Sequence, residues 1–302
     1  FQAYNSNIVF EFVDPMENQE ESMDLIKDLY RKGLTPINIT VDDKGKQSQA
    51  LVFPWAIATY DNKEVSIPLL KNQMGASTTQ KVIGSVQHLE YSFSDAFNKI
   101  TKAKQKKVAI IKGNGELKEA FIAKFLLQVR DSYFIAPFTL DSVAKNPEGS
   151  LQALKEYDLA VIAKPSEAFS ESEKQVLDQY LMNGGKTIWL VDQVVAEIDS
   201  LYNPSGASLA YPRDLNINDL FFKYGIRINP DIVKDEQGSP IQLASGEPGS
   251  ATRFQQFNWK YAPLVTPIST HPIVKNLGGI KFDFANSIDT LKNSIKKTVL
   301  LQ

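Results

Sequence analysis

The sequence predicts an α/β protein of two domains, the second of which is built on a Rossmann-like parallel sheet. Apolar runs at 108–111, 159–163 and 187–191 have the unbroken hydrophobicity of strands that are covered on both faces. Helical patterns alternate with these runs, and such an order implies parallel strands joined by right-handed crossovers. The length of 302 residues suits two domains, since a domain usually holds about 100–150 residues.

Composition and charge argue against several classes of function. The chain carries 33 basic and 35 acidic residues, so no overall field favours a nucleic acid or an anionic lipid, and we expect no nucleic-acid partner. The lack of cysteine excludes disulfides, thiolate metal sites and cysteine nucleophiles. Its two histidines, His88 and His271, lie far apart, and no His, Asp and Glu cluster has metal-ligand spacing, so we expect neither a metal nor another cofactor.

Membrane attachment is not visible in the sequence itself. No stretch approaches the roughly 20 apolar residues that a transmembrane helix requires. The chain begins at Phe1 and ends just after the apolar run 299–301. We therefore expect it to be part of a longer protein whose membrane segments lie outside this sequence.

The first predicted domain comprises residues 1–103. A strand at 8–13 is followed by an amphipathic helix that Gly33 ends, and a second strand follows at 37–41. After a turn at 43–45, residues 51–60 and 65–69 form a hairpin around Asp61-Asn62, with Pro54 marking an edge or a bulge. A long helix completes the domain. Its apolar stripe consists of Val82, Ile83, Val86, Leu89, Phe93, Phe97 and Ile100.

A basic cluster marks the predicted boundary between the domains. It consists of Lys102, Lys104, Lys106 and Lys107. The cluster is either a phosphate-contacting patch or a solvated helix end and linker. Its shortness and its lack of interleaved aromatic residues favour the linker.

The second predicted domain comprises residues 104–302. A glycine turn at 113–115 separates the first buried strand from a helix over 117–129, and a strand at 134–138, a loop and the strand at 159–163 follow. Ser170 and Glu173 form a capping box, and a glycine pair at 184–185 ends that helix before the strand at 187–191. Beyond it we predict a short helix near 220–224, a strand at 226–228, long loops over 235–260 and irregular elements after 270.

Polar residues follow three of the predicted parallel strands. Ligands of such sheets bind beyond the carboxyl ends of the strands, so we predict a ligand-binding crevice there. Its residues are Asn114, Glu116, Lys164, Ser166 and Asp192.

Neither a phosphate site nor a catalytic centre is indicated at this crevice. The turn lacks G-x-G-x-x-G spacing, because Lys118 occupies the position of the third glycine. Lys164 and Asp192 either pair with each other or face solvent separately. Ser166 has neither a nearby histidine nor a G-x-S-x-G elbow, so we expect no enzyme activity.

Several stretches together resemble the GldG family, the gliding-motility-associated ABC transporter component of Bacteroidota. The resemblance runs over essentially the whole chain. The stretches are 11–15, 69–73, 89–91, 163–165, 178–180 through 184–186, 214–216 through 222–225, and 271–273. It implies a membrane-anchored protein whose soluble portion faces the periplasm. Its implied partners are the ATPase and permease-like subunits of the same ABC system, and further gliding and secretion proteins.

The same resemblance implies a more specific fold for each domain. The second domain is similar to class I glutamine-amidotransferase-like modules, which also occur in an intraflagellar-transport protein, where a ligand-binding role has been proposed. Enzymes of that fold use a cysteine nucleophile, which this chain lacks, so their chemistry is not expected here. The first domain looks like a thioredoxin-like fold without its opening strand and helix, and it has no C-x-x-C pair.

Three hypotheses of function follow. The leading one is a non-enzymatic accessory or scaffold domain of an ABC-type complex outside the cytoplasm. The second is a solute-binding domain for a carbohydrate or glycan fragment, with Lys164, Ser166 and Asp192 in its crevice. The third and weakest is a hydrolase, which would need those three side chains to meet at a common point.

Overall fold

The fold is given by a computed structural model that describes residues 1–17, 19–43, 46–71, 77–245, 253–267, 270–275 and 277–302. Contacts within the chain divide it into two compact units, Phe1–Ala103 and Lys104–Gln302. Among the residues described, no helix is long and apolar enough to cross a membrane.

The first unit contains two helices and two antiparallel strand pairs. Helix α1 (Gln19–Arg31) precedes β1 (Ile37–Asp43) and β2 (Lys46–Val52), which pair with each other. Strands β3 (Trp55–Tyr60) and β4 (Lys63–Pro68) form the second pair, and α2 (Thr78–Thr101) ends the unit. These elements confirm the predicted α/β character of this part of the chain.

Local residue chemistry explains where these elements turn. Gly33 ends α1 with φ of 76°, a left-handed conformation that glycine adopts without steric cost. Asp61 and Asn62 both have positive φ, at 47° and 60°, as a two-residue turn between twisted antiparallel strands requires, which confirms the predicted hairpin. The predicted turn at 43–45 falls mainly on Lys44 and Gly45, which lie outside the described residues.

Two predictions for the first unit are wrong. Residues 8–13 form no strand: Val9 and Phe12 are 83% and 95% exposed, and the described part of the chain supplies no strand to pair with this segment. The run 51–60 is also not continuous. Pro54 cannot donate a ladder hydrogen bond, and the chain breaks there into β2 and β3, each with its own partner.

Helix α2 is confirmed, although its apolar stripe is only partly covered. The Ser77 hydroxyl accepts from the Gln80 N–H, and the Gln80 side chain accepts from the Ser77 N–H, which fixes the start of the helix. Ile100 at the carboxyl end is buried, whereas Val82 and Val86 near the start are exposed. Periodicity identified the helix correctly but could not show which part of the stripe meets a partner.

The second unit contains a four-stranded parallel sheet. Its elements are β5 (Lys107–Lys112), a 3₁₀ turn (Glu119–Ile122), α3 (Ala123–Ser132), β6 (Phe134–Thr139), α4 (Pro147–Leu154), β7 (Leu159–Ala163), α5 (Glu171–Met182) and β8 (Lys186–Leu190). The strands lie in the order β6-β5-β7-β8, and every neighbouring pair is parallel. This arrangement confirms the predicted Rossmann-like fold.

Helix α4 corrects the predicted loop between β6 and β7. The Asn146 side chain accepts the Gly149 N–H, and Pro147 occupies the first helical turn, where its missing N–H costs nothing. Both signals stand in the sequence. The segment was missed because the helix has only eight residues and buries just Ser150 and Leu154.

The core of this unit lies on both faces of the sheet. On one face, Ile111, Ile162, Leu177, Tyr180 and Phe221 belong to a single buried cluster. On the other face, a smaller cluster forms around Val108, Ile110 and Val161. Coverage on both faces explains the unbroken apolar runs of β5 and β7. The prediction that β8 is also covered on both faces is wrong, because this strand lies at the edge of the sheet and exposes Ile188 and Leu190.

The carboxyl-terminal part is less regular, as predicted. It contains β9 (Val194–Val195), a 3₁₀ turn (Ile198–Leu201), β10 (Tyr211–Pro212), α6 (Asn218–Lys223), β11 (Ile226–Ile228), β12 (Pro240–Ser245), β13 (Arg253–Asn258), β14 (Leu264–Val265), β15 (Ile280–Lys281) and β16 (Ile288–Thr290). The prediction of loops throughout 235–260 is wrong, because β12 and β13 pair as antiparallel strands. Glycine, serine and proline around these strands concealed their short apolar alternation.

Candidate functional site

The turn after β5 joins the carboxyl ends of two neighbouring strands. The N–H groups of Ser166 and Glu167, which follow β7, donate to the Asn114 carbonyl at 2.9 and 3.0 Å. The Ser166 hydroxyl donates to the Gly115 carbonyl at 2.9 Å. Gly115 has φ of 68°, and a Cβ at this position would lie 2.1 Å from the Ser166 Oγ. Glycine is therefore required by both the backbone conformation and the close approach of Ser166.

Asn114 connects this turn to the start of α5. The residue is only 2% exposed, and its Nδ2 donates to the Glu173 Oε2 at 3.3 Å, with a weaker contact of 3.5 Å to the Ala168 carbonyl. Glu173 also belongs to the predicted capping box with Ser170, which the structure confirms. The Asn114 Oδ1 is buried and has no hydrogen-bond partner among the described residues.

The Glu116 carboxylate folds back onto the turn that precedes it. Its Oε2 accepts the Asn114 N–H at 3.0 Å, and its Oε1 is buried without a described partner. Burial raises the pKa of this carboxyl, against the opposing effects of backbone hydrogen bonds and of the Lys112 ammonium. The carboxylate occupies the N–H groups to which a phosphate at this strand end would bind, which disfavours a nucleotide site.

Lys164 is the centre of a second polar cluster at the same edge of the sheet. Its Nζ lies 2.6 Å from Glu197 Oε1 and 3.3 Å from Asp192 Oδ2. Burial alone would lower the pKa of Lys164, but the hydrogen bonds and charges of these two carboxylates raise it overall. Of the two alternatives left open by the sequence, pairing of Lys164 with Asp192 is the one observed.

Glu197 is the member of this cluster that the sequence reasoning missed. It lies in the irregular segment just before the 3₁₀ turn at Ile198–Leu201. The residue is 33 positions from Lys164, and no spacing rule connects a strand end with a carboxylate in a later loop. Only the path of the chain brings the two side chains together.

The five predicted residues all follow strands of the parallel sheet, but they form two clusters. Asn114, Glu116 and Ser166 surround the first turn, and Lys164 and Asp192 belong to the ion-pair cluster. Among the described residues, no hydrogen bond joins Ser166 to Lys164 or Asp192. The Ser166 hydroxyl donates to the Gly115 carbonyl, and within the described chain no hydrogen bond connects it to a basic side chain. Their use in binding a ligand stays a prediction.

Two open cavities lie away from these clusters. One of about 490 Å³ is lined by Lys107, Phe138, Gln152, Ala153, Glu156 and Tyr157. Another of about 460 Å³ is lined by Lys155, Tyr157, Asp158, Tyr180, Asn183, Gly184, Gly185 and Lys186. Most of these residues lie at the amino ends of the strands or on α4. These two cavities and the polar clusters therefore occupy different parts of the unit.

Comparison with known proteins identifies the family. The family described as an ABC-type uncharacterized transport system matches residues 105–302. The chain belongs to this family. It is therefore an accessory component associated with an ABC-type system, and the other subunits of that system are its implied partners.

The remaining comparisons concern the first unit and the fold. A domain of unknown function matches residues 1–59 of this ABC-type transport component. No curated protein matches the chain. A solved structure entitled "mmIFT52 N-terminal domain" is similar to it with 17% sequence identity and a TM-score of 0.43, over 65% of this chain and 72% of the other.

Proposed function

We propose that this ABC-type transport component is a non-enzymatic accessory or scaffold protein at the periplasmic face of the bacterial inner membrane. In this role it holds the ATPase and permease-like subunits together with further proteins of gliding motility and the secretion linked to it. The family match over 105–302 supports the ABC-type association. The resemblance of its dispersed stretches to the gliding-motility component supports the more specific role.

The non-enzymatic part of the proposal rests on one observation, namely that the polar side chains after the carboxyl ends of the parallel strands are bonded to other groups of the chain. The Lys164 ammonium pairs with two carboxylates, and the Ser166 hydroxyl donates to the Gly115 carbonyl. Groups engaged in this way stabilise loops and strand ends. A hydrolytic centre needs a nucleophile within reach of a base and of an oxyanion donor.

Complementation in the bacterium of origin tests this proposal. Full-length protein carrying Ser166→Ala or Lys164→Met should restore motility and should copurify with the ATPase subunit as the wild type does. Leu177→Ala is the control for simple loss of fold, because Leu177 is fully buried and its truncation lowers stability. Motility lost in Ser166→Ala, with protein and complex amounts unchanged, would show a chemical role and overturn the proposal.

One observation favours solute binding as a second candidate. Asn114 Oδ1 and Glu116 Oε1 are buried acceptors without described partners. In this candidate function the turn opens and exposes both atoms, and the hydroxyl groups of a carbohydrate or glycan fragment donate to them. A ligand at about 100 times its Kd stabilises a protein by about 2.7 kcal/mol. Thermal unfolding with sugars and peptidoglycan fragments should then show a raised Tm that Glu116→Ala reduces. An unchanged Tm with every one of these compounds excludes this candidate.

A further inference from the structure

The two edges of the parallel sheet differ in how they are protected. At one edge, β6 contains Pro137, which lacks an N–H and interrupts any pairing with a further strand. At the other edge, β8 has the sequence Lys-Thr-Ile-Trp-Leu, without proline or glycine. Three of its five residues are β-branched or aromatic, which favours strand pairing. Strand β8 is the edge that remains competent to pair.

The hydrogen-bonding direction of β8 follows from one bond to β7. The Lys164 N–H donates to the Leu190 carbonyl at 2.7 Å, so the backbone groups of Leu190 point towards β7. Because these directions alternate along a strand, those of Thr187 and Trp189 point to the outer edge. Within the described ranges, no hydrogen bond reaches the outward N–H and C=O groups of either residue.

The side chains of β8 leave an apolar strip beside this edge. Ile188 is 41% exposed and Leu190 is 51% exposed on one face of the sheet. Trp189 points to the other face, where it packs against Phe169 and Phe221. An exposed edge with outward apolar side chains is the template that strand pairing between chains uses.

The charges at the two ends of this segment show which partner fits. Lys186 starts β8, and Asp192 lies two residues beyond Leu190, the last residue of the strand. Pairing that extends β8 through Asp192 places both charges on the same side of the strand by alternation. Antiparallel pairing about a two-fold axis at Trp189 places Lys186 opposite the partner's Asp192 and Ile188 opposite the partner's Leu190. The outward N–H and C=O groups of Trp189 then form two hydrogen bonds with the C=O and N–H groups of Trp189 in the second copy. This agrees with the alternating direction of the backbone groups along β8.

Other registers lack this complementarity. A two-fold axis moved to Thr187 would bring Lys186 opposite the partner's Ile188 and leave Asp192 without a partner. In the described part of the chain Lys186 forms no ion pair. The Asp192 carboxylate contacts the Lys164 Nζ through Oδ2 at 3.3 Å, and its side chain is 34% exposed, so a second ammonium group can still approach it. Charge therefore selects both the orientation and the register.

We infer that the chain forms a two-fold homodimer in which β8 pairs antiparallel with β8 of a second copy. The two sheets become one continuous sheet, and the exposed Ile188 and Leu190 side chains of both copies pack together across the axis. This dimer is separate from the proposed function, because its interface joins two copies of this chain and does not involve the other subunits of the ABC system.

Charge exchange provides the first test. Sedimentation velocity of the chain over a range of concentrations should show a dimer for the wild type. Lys186→Asp and Asp192→Lys each place like charges across the axis and should weaken the dimer by about tenfold or more. An equimolar mixture of the two variants restores opposite charges and should form a heterodimer. A wild type that stays monomeric, or variants that dimerise undiminished, would overturn the inference.

Crosslinking provides the second test, since the chain contains no cysteine. Ile188→Cys and Leu190→Cys variants, mixed and oxidised, should form a disulfide-linked dimer, because directly opposite residues of a non-hydrogen-bonded pair have Cβ atoms about 4.5–5.5 Å apart. Phe134→Cys is the matched control, since Phe134 is 55% exposed on β6 at the other edge. Equal crosslinking by the control would refute the proposed surface. Circular dichroism of each variant separates loss of pairing from loss of fold.

Discussion

The contact between Gly115 and Ser166 makes a quantitative prediction about the candidate site. Gly115→Ala places a Cβ 2.1 Å from the Ser166 Oγ and 3.2 Å from the Glu167 Cγ, at a backbone φ of 68°. The left-handed conformation costs an alanine about 1–2 kcal/mol. Relief of the clash requires Ser166 to move, which sacrifices its hydrogen bond to the Gly115 carbonyl, a loss of about 1 kcal/mol. We expect a total destabilisation of about 2–3 kcal/mol.

A double-mutant cycle separates the two contributions. Ser166→Ala alone should cost about 1 kcal/mol, since it removes the same hydrogen bond. In the Gly115→Ala background the serine substitution should cost almost nothing further, so the two effects should depart from additivity by about 1 kcal/mol. Gly184→Ala is the matched control. Gly184 has φ of 91°, and a Cβ there meets nothing within 4 Å, so only the backbone cost of about 1–2 kcal/mol applies.

Urea unfolding followed by tryptophan fluorescence measures these free energies. In a Trp55→Phe background the signal comes from Trp189 and Trp259, which both lie in the Lys104–Gln302 unit. The free energy of unfolding is obtained by linear extrapolation for each member of the cycle. Additivity within about 0.3–0.5 kcal/mol would refute the described contact between the ends of β5 and β7.

Three further predictions concern the second unit. Burial raises the pKa of Glu116, so the stability that this carboxyl contributes is present below about pH 4.5 and is lost as the pH rises. The free energy of unfolding of the wild type, relative to that of Glu116→Gln, should therefore fall from acidic to neutral pH. A difference that does not change with pH would contradict this. Leu177→Ala should cost about 2–5 kcal/mol in urea unfolding, because the side chain is fully buried; a loss below 1 kcal/mol would be inconsistent with a packed core. The pKa of Tyr224 is raised to about 12, first by burial and then by the hydrogen bond and charge of Asp178. Asp178→Asn should therefore lower this pKa towards 10, as measured by an absorbance titration of tyrosinate. An unchanged titration would show that Asp178 has no influence on it.

Much of the parallel sheet could be predicted because its signals are local. Strands buried on both faces must be apolar throughout, and 108–111 and 159–163 therefore stood out. The run 187–191 was found by the same pattern, although Ile188 and Leu190 are exposed on one face. Capping at Ser170 and the left-handed glycine at 184 fixed the limits of α5. The carboxyl ends of these strands then had to lie along one edge, which is why the residues predicted for the site follow strands of one sheet.

Local sequence patterns could not show which strands pair with each other or which parts of a helix are buried. The apolar run at 8–13 looked like a strand, but a strand exists only where another strand accepts its hydrogen bonds. The stripe on α2 showed a helix but not which of its turns would be covered. Strands β12 and β13 were missed for the opposite reason, because their pairing exists despite a composition typical of loops.

The sequence by itself determined the α/β class, the parallel sheet of the second unit, the absence of a cysteine nucleophile and the residues at the strand ends. Only the tertiary structure decided how those residues divide, with Ser166 bound to the turn after β5 and Lys164 paired with Asp192 and the distant Glu197. The reason is physical. Periodicity and turn chemistry act over a few residues, whereas hydrogen bonds and ion pairs between strand ends depend on segments that only the folded chain brings within about 3 Å of each other.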